Sequence, residues 1–322
     1  MKRKLIIGSI ISGAFFYLAV RDVNWSILGS VLRQTHVGYF ALSITVGLIN
    51  VVARAWRWKF IMLPIKRIST ASLLSATFIG LMANNLLPAR LGEIVRAYVI
   101  GRKESVSRTA SFATIVYERI VDVFSLLALL WVSLMFSSGP AWLQRTGWWL
   151  LTVNILGIIS LYLMERHQAA VSRVFERALS PLPGRFRDRA VTATRSFTVG
   201  LATLSRTDTI LPIILLSALV WVTAAFALWA CLPAVGIHLP FVASVTLLVL
   251  VSLGSMIPSA PAYIGVTQYA CIVGLATYGI PKSEALAYSL LFHAGTFFPV
   301  TIIGLTLLGR EGLRFSDLSS SR

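Results

Sequence analysis

Stretches 5–20, 37–53, 71–87, 123–136, 148–164, 210–231, 241–257, 264–280 and 285–308 contain no Asp, Glu, Lys or Arg and are dominated by apolar residues. A helix crossing the hydrocarbon core of a bilayer needs about 20 mostly apolar residues, within a range of about 17–25. Several of these runs meet that length outright or with their flanks. Charged residues make up 13% of the chain and hydrophobic ones 57%, against about 25% charged in a soluble domain. The runs therefore cannot be the cores of globular domains, and no segment between them is large enough to fold alone. The sequence predicts an all-α polytopic membrane protein.

The formal net charge of +17 suits either nucleic acid or an anionic membrane. Here the basic residues lie between apolar runs, and no separate basic domain holds them. Membrane topology accounts for them, and no nucleic-acid partner is expected. Cys231 and Cys271 sit in apolar runs without a second Cys or a His at ligand spacing. They read as small buried hydrophobes, with no disulfide, no metal site and no cofactor expected. Lys2, Arg3 and Lys4 ahead of the first run have the shape of a signal peptide. No convincing small-residue cleavage site follows, so the run reads as a retained first helix.

Cytoplasmic segments are enriched in Lys and Arg, and the 29 basic residues sort into clusters. These are the N-terminus, 54–67, 90–108, 166–206 and the tail from Arg310. With them placed inside, both termini are cytoplasmic, and full spans are expected near 4–20, 37–58, 110–136, 148–164, 210–232 and 284–308. An interfacial helix is expected near 25–32. Trp56 and Trp58, beside Arg54 and Arg57, read as an interfacial anchor, and 165–207 as a basic cytoplasmic loop.

Two runs do not fit simple spans. The run 71–87 is flanked by basic clusters on both sides and breaks at Asn84-Asn85-Leu86-Leu87-Pro88. Proline removes a backbone donor and drives the preceding residue out of the helical region. Adjacent asparagines are poor mid-helix residues that need partners in hydrocarbon. A hairpin entering from the cytoplasm, turning at 84–88 and returning along 89–106 satisfies each constraint. In the second half, 241–257 and 263–280 flank Pro258-Ser259-Ala260-Pro261. That break carries no basic residue, so a hairpin entering from outside is expected. The fold class is thus about six full transmembrane helices plus two re-entrant helical hairpins. They form an inverted repeat, with halves about 1–138 and 145–309 in one membrane domain, 1–309, and a short tail, 310–322. Many secondary transporters have this organisation.

Within the first break, Arg90, Glu93 and Arg96 follow at i, i+3 and i+6 and share a helix face. Ionisable residues at membrane depth face protein or a wet cavity and pair there. Glu93 neutralises one arginine, and a remaining guanidinium fork suits a phosphate. The expected head-group site is Asn84, Asn85, Arg90 and Arg96. The alternative is a juxtamembrane helix with a surface ion pair. Glu118 and Asp122, at i and i+4 with Arg119 between them, are expected to pair Arg90 or Arg96, to bind a coupling ion, or to brace the hairpin. Pro88, Gly92, Pro258, Ser259, Pro261, Gly265, Gln268 and His293 are the expected turn and cavity residues. Motifs for a P-loop, a serine nucleophile elbow, a zinc protease or an Asp-rich magnesium site do not occur in the sequence.

The segment from Asn84 to Arg96, then Glu118-Arg119-x-x-Asp122, then Pro258-x-x-Pro261-x-x-x-Gly265 resembles the lysylphosphatidylglycerol-synthase transmembrane-region family of flippase-like proteins, over about residues 5–308. Two departures stand out. Family members often have Pro-Gly-Gly or Pro-Gly-x-x-Gly where this chain has Pro261-Ala262-Tyr263-Ile264-Gly265, and many carry Arg where His293 stands. The resemblance implies movement of a charged or glycosylated lipid between leaflets. The aminoacyl-transfer domain of that family would follow the membrane part. Only about a dozen residues follow Leu308, so lysyltransferase activity is expected to be absent. The resulting expectation is a lipid flippase or transporter in a bacterial inner membrane, acting on an anionic or lipid-linked substrate. Two other readings stay open: a membrane enzyme acting on a polyprenyl-phosphate lipid, and a non-catalytic partner in an envelope glycolipid pathway.

Overall fold

A computed structural model describes residues 2–87, 91–136, 141–167, 207–257 and 259–313. Every regular element among them is helical: α1 (Lys2–Val20), α2 (Trp25–Arg33), α3 (Val37–Met62), α4 (Thr70–Leu86), α5 (Gly92–Glu104), α6 (Arg108–Phe136), α7 (Ala141–Arg166), α8 (Thr207–Cys231), α9 (Phe241–Met256), α10 (Val266–Ala276) and α11 (Lys282–Arg310). Short 3-10 turns occupy Pro233–Val235 and Pro261–Tyr263. The basic segment expected at 165–207 and the tail after 313 lie almost wholly outside the described residues.

Three stretches are long and apolar enough to cross a membrane: Val37–Met62, Asp208–Val235 and Lys282–Arg310. The other three expected spans coincide with α1, α6 and α7, of 19, 29 and 26 residues. A short helix stands where one was expected near 25–32: α2, started by Asn24, whose side chain accepts from the N–H groups of Ser26 and Ile27. An Asn at this position satisfies donors that the first turn leaves unpaired.

The two interrupted runs fold as helix pairs. Leu87 precedes Pro88 and is extended at φ −102° and ψ 145°, and Ala260 precedes Pro261 at φ −60° and ψ 163°. In both cases the proline ring excludes helical backbone from the residue before it. The arms α4, α5, α9 and α10 have 17, 13, 16 and 11 residues. At about 1.5 Å per residue none reaches the roughly 30 Å of a hydrocarbon core. In the first pair the backbones touch: a Cβ on Gly92 would lie 2.1 Å from the Gly80 carbonyl oxygen. In the second, Gly254 faces Val266 near the break and Gly274 faces Leu247 near the open end, so these arms run antiparallel.

The pairs approach α11 from opposite ends. The open end of α4–α5 meets the C-terminus of α11, where Lys103 and Ser75 hydrogen-bond Glu311. The open end of α9–α10 lies at the N-terminus of α11, where Lys282 donates to the carbonyls of Leu18 and Arg21 at 2.9 and 2.6 Å. Both breaks sit near the middle of α11. Asn85 Nδ2 donates to Thr301 Oγ1 at 2.9 Å, and Gln268 lies 3.0 Å from His293. The turn Pro261–Tyr263 packs directly on α4. The longest packing seam joins α3 to α8. One apolar core gathers around α8, α9 and Tyr288 of α11, and a second around α4, α5 and Trp58.

Candidate functional site

The expected site residues fall into three groups. Pro88, Arg90 and Pro258 lie outside the described residues. A polar group lines the two breaks. An ionic cluster lies deeper, where α3, α5, α6 and α8 converge.

At the first break Asn84 Oδ1 accepts from the N–H of Gly92 at 2.8 Å. That bond holds the start of α5 against the end of α4. Asn85 is committed to α11 through Thr301. At the second break Gly265 has φ +85°, and a Cβ there would lie 2.4 Å from the Ser12 carbonyl oxygen. Only glycine tolerates both the left-handed backbone and that approach of α1. The N–H of Gly265 donates to Gln268 Oε1 at 2.7 Å, and the N–H of Ala260 donates to Ser12 Oγ at 2.8 Å. Ser259 is half-buried, and its carbonyl lies close to Gly8 of α1. Pro261 opens the 3-10 turn.

Glu118, on α6, is fully buried. Arg96 grips it with both guanidinium nitrogens, at 3.2 and 3.0 Å, while the face of the same guanidinium lies 4.1 Å from the Trp58 ring. Arg57 Nη2 is 3.3 Å and Arg119 Nη2 is 2.7 Å from Glu118 Oε1. Asp122, one turn further along α6, receives Arg57 at 2.7 Å and the Trp221 indole N–H at 3.2 Å on Oδ1. Its Oδ2 faces Arg119 at 3.1 Å and Arg54 at 3.8 Å. Arg54 is steadied by Asn50 Oδ1 at 2.9 Å, and Arg57 by Ser217 Oγ at 3.1 Å. Glu93, half-buried in the first turn of α5, is close enough to Arg119 for their charges to interact.

Four arginines thus meet two carboxylates directly, with Glu93 as a third beside Arg119. Asp122 is 14 residues into α6, about 21 Å from its start, far from either helix end. Buried charges are expensive unless paired, and removing one partner costs more than the pair contributes. The bidentate Arg96 pair and the Trp58 face are the strong geometries for stabilising a guanidinium away from water. A surplus of guanidinium charge remains, and such a surplus attracts an anion.

Arg54, Arg57, Trp58 and Trp221 were not anticipated here. Arg57 and Trp58 are fully buried and so do not anchor the chain at an interface; Trp56, 49% exposed, is the one that faces outward. The signal was present: Asn50, Arg54 and Arg57 recur at i, i+4 and i+7, one face of a helix. Cys231 and Cys271 are free and buried. Among the described residues no group of three or more His, Cys, Asp or Glu is placed to hold a metal.

Comparison with known proteins places the chain among membrane proteins. A UPF0104 membrane protein of Methanothermobacter thermautotrophicus is 22% identical over 304 residues, covering 89% of each chain. A second UPF0104 membrane protein, from Methanocaldococcus jannaschii, is 24% identical over 234 residues, 69% of this chain and 90% of its own. A phosphatidylglycerol lysyltransferase of Staphylococcus aureus is 27% identical over 97 residues, which is 30% of this chain and 12% of that enzyme. No solved structure matches. The family model described as the lysylphosphatidylglycerol synthase TM region matches residues 5–304, and the chain belongs to that family of membrane proteins.

Proposed function

We propose that the protein binds the anionic or glycosylated head group of a lipid beside its arginine cluster and moves that lipid between the leaflets of a bacterial inner membrane. The observation that carries this is the imbalance of charge in the cluster: Arg54, Arg57, Arg96 and Arg119 against Glu118, Asp122 and the neighbouring Glu93. A guanidinium surplus at membrane depth suits a phosphate, which arginine binds through paired parallel hydrogen bonds. Arg96, with Arg90 six positions before it, supplies the field that draws the phosphate in. Glu118 and Asp122 keep the arginines apart and aimed, and Asn84 and Asn85 hold the break beneath them.

In this proposal the two helix pairs are re-entrant hairpins related by an inverted repeat, with both termini cytoplasmic. The packing supports it. In each half a short helix pairs with the next and then packs on a 29-residue helix, α6 or α11. The pairs come from opposite ends of α11 and their breaks meet near its middle. Irregular backbone at membrane depth occurs where it is buried in protein or lines a cavity, and transporters place their substrate sites there. The enzymatic alternative receives less support, since Glu118 and Asp122 are committed to arginines and serve charge balance rather than proton transfer.

The test is reconstitution into liposomes with a head-group-labelled anionic lipid, followed by the lipid's accessibility to a membrane-impermeant quencher. The wild-type protein is expected to equilibrate the label across the bilayer. Arg90→Ala is expected to abolish that while leaving expression intact. Full translocation by the variant would refute the assignment.

A further inference from the structure

We propose that Arg54 and Arg119 form the phosphate clamp of this site, and that Asp122 Oδ2 is a built-in stand-in for the ligand, which a phosphate displaces. The inference rests on the head-group reading above and names the contact residues within it.

The ionic cluster has two layers. In the inner layer Arg57, Arg96 and Glu118 have side chains 0, 7 and 0% exposed. Arg57 already serves Glu118, Asp122 and Ser217. Arg96 is bidentate on Glu118 with one face closed by Trp58. Unpaired donors remain there, at Nε and Nη2 of Arg57 and Nε of Arg96, but they are sealed from solvent, so an incoming acceptor does not reach them.

The outer layer differs. Arg54 and Arg119 are 19 and 40% exposed, and they come from separate helices, α3 and α6. Both converge on the same oxygen, Asp122 Oδ2, which has an ion-pair contact with Arg119 Nη2 at 3.1 Å but no well-aligned hydrogen bond. Its contact with Arg54 is 3.8 Å, beyond hydrogen-bonding distance, and it is buried without a hydrogen bond. Arg119 Nε is likewise a buried donor without an acceptor. Buried polar groups in folded proteins are almost always paired, and this unpaired acceptor and unpaired donor belong to the one layer of the cluster that is open to solvent. Two guanidinium forks share one carboxylate oxygen. A phosphate offers several oxygens and fits both forks at once.

Displacement does not require Asp122 to leave. Its Oδ1 stays tied to Arg57 and to the Trp221 indole, so only the loose Oδ2 contacts are exchanged. The Trp221 ring lies 5.9 Å from the Arg54 guanidinium, within the range of a cation–π contact. The chemistry recognised is a phosphate ester or phosphate ion, and the test separates the two sources.

The experiment is a binding titration of the full-length protein in detergent, read by thermal shift. The probes are dioctanoyl phosphatidic acid, inorganic phosphate and, as the uncharged control, dioctanoylglycerol. Phosphatidic acid is expected to stabilise the wild type and dioctanoylglycerol to leave it unchanged. Arg54→Gln and Arg119→Gln are each expected to weaken binding about tenfold or more, the loss expected when a charge-assisted contact is removed. Arg119→Lys, which keeps the charge and the fold but not the fork, is expected to bind more weakly than wild type. Asp122→Asn is expected to bind as tightly or more tightly, because the competing charge is gone. Wild-type affinity in both glutamine variants would overturn the clamp while leaving a head-group site elsewhere in place. Weakening in Asp122→Asn equal to that of the arginine variants would overturn the stand-in. Equal binding of inorganic phosphate, with the same arginine dependence, would uphold the clamp and remove the lipid reading. No binding of either phosphate compound by the wild type would overturn both.

Discussion

Gln268 Nε2 lies 3.0 Å from Nδ1 of His293, while Oε1 of the same amide accepts the N–H of Gly265 at 2.7 Å. The second contact fixes the orientation of the amide, so its nitrogen must donate and His293 Nδ1 must accept. Gln268 therefore ties the turn of the α9–α10 pair to the middle of α11. Gln268→Leu is expected to leave the Gly265 N–H and His293 without partners. Its cost is about 1–3 kcal/mol, that of an unsatisfied buried polar group. Thermal unfolding in detergent measures it, and a variant as stable as wild type would show that the tie carries no weight.

Glu118 balances three guanidinium groups at once. Glu118→Ala is expected to destabilise the protein by about 3–5 kcal/mol, because it leaves buried arginines uncompensated. Arg21→Ala, which breaks an exposed, solvent-screened pair with Asp22, is expected to leave stability essentially unchanged. Comparing melting temperatures and folded yield of the two variants checks the contrast.

Backbone conformation around the second break gives a pair of opposite expectations. Ala262 and Tyr263 both have positive φ, at 59° and 58°, in the region where a side chain costs about 1–2 kcal/mol relative to glycine. Ala262→Gly relieves that strain against a loss of about 0.5–1 kcal/mol in chain entropy, so its melting temperature should match or exceed wild type. Gly265→Ala drives a Cβ to 2.4 Å from the Ser12 carbonyl oxygen and should lower the melting temperature by several degrees.

At the other end of the molecule, burial raises the Glu311 carboxyl, but hydrogen bonds from Lys103 and Ser75 outweigh it and hold the group below the usual carboxylate range. A carboxyl depressed in the folded state contributes stability above its unfolded value, about 4.3, and that contribution is lost as pH falls through the folded value. Proteolysis near residue 311 should therefore accelerate on acidification below about pH 4 in the wild type. Glu311→Gln should be cleaved faster at neutral pH and show a shallower pH dependence.

Membrane sidedness is open to cysteine labelling. The native cysteines are buried, so a maleimide reports on introduced ones. Arg102→Cys, on the exposed open end of the first pair, is expected to react from the cytoplasmic side. Thr277→Cys, on the exposed open end of the second, is expected to react from the external side. Labelling of both from one side would end the inverted-repeat proposal.

Much of the helical layout was legible in the sequence because its determinants are local. The pre-proline positions Leu87 and Ala260 dictate where the short helices break, and uninterrupted apolar runs mark where the long ones lie. The ionic cluster was half legible. Glu118, Arg119 and Asp122 stood out because they interrupt an apolar stretch. Arg54 and Arg57 were absorbed into a basic cluster and counted as cytoplasmic charge. Their burial depends on α3 packing along α8, a contact between segments about 170 positions apart, and no local pattern encodes it. The partners of Asn85 and Gln268 were hidden for the same reason: both lie on α11.

The bare backbone contact between Gly80 and Gly92 has a mechanical consequence. Side chains between two helices give slack, since rotamers can turn while the helices slide. Here there is no such cushion, and a Cβ on Gly80 would itself lie 2.3 Å from Arg96. The two short helices are seated on one another like a single rigid lever. A displacement of Arg96 is therefore expected to carry both short helices with it, and through Asn85 to bear on Thr301, well along the last helix.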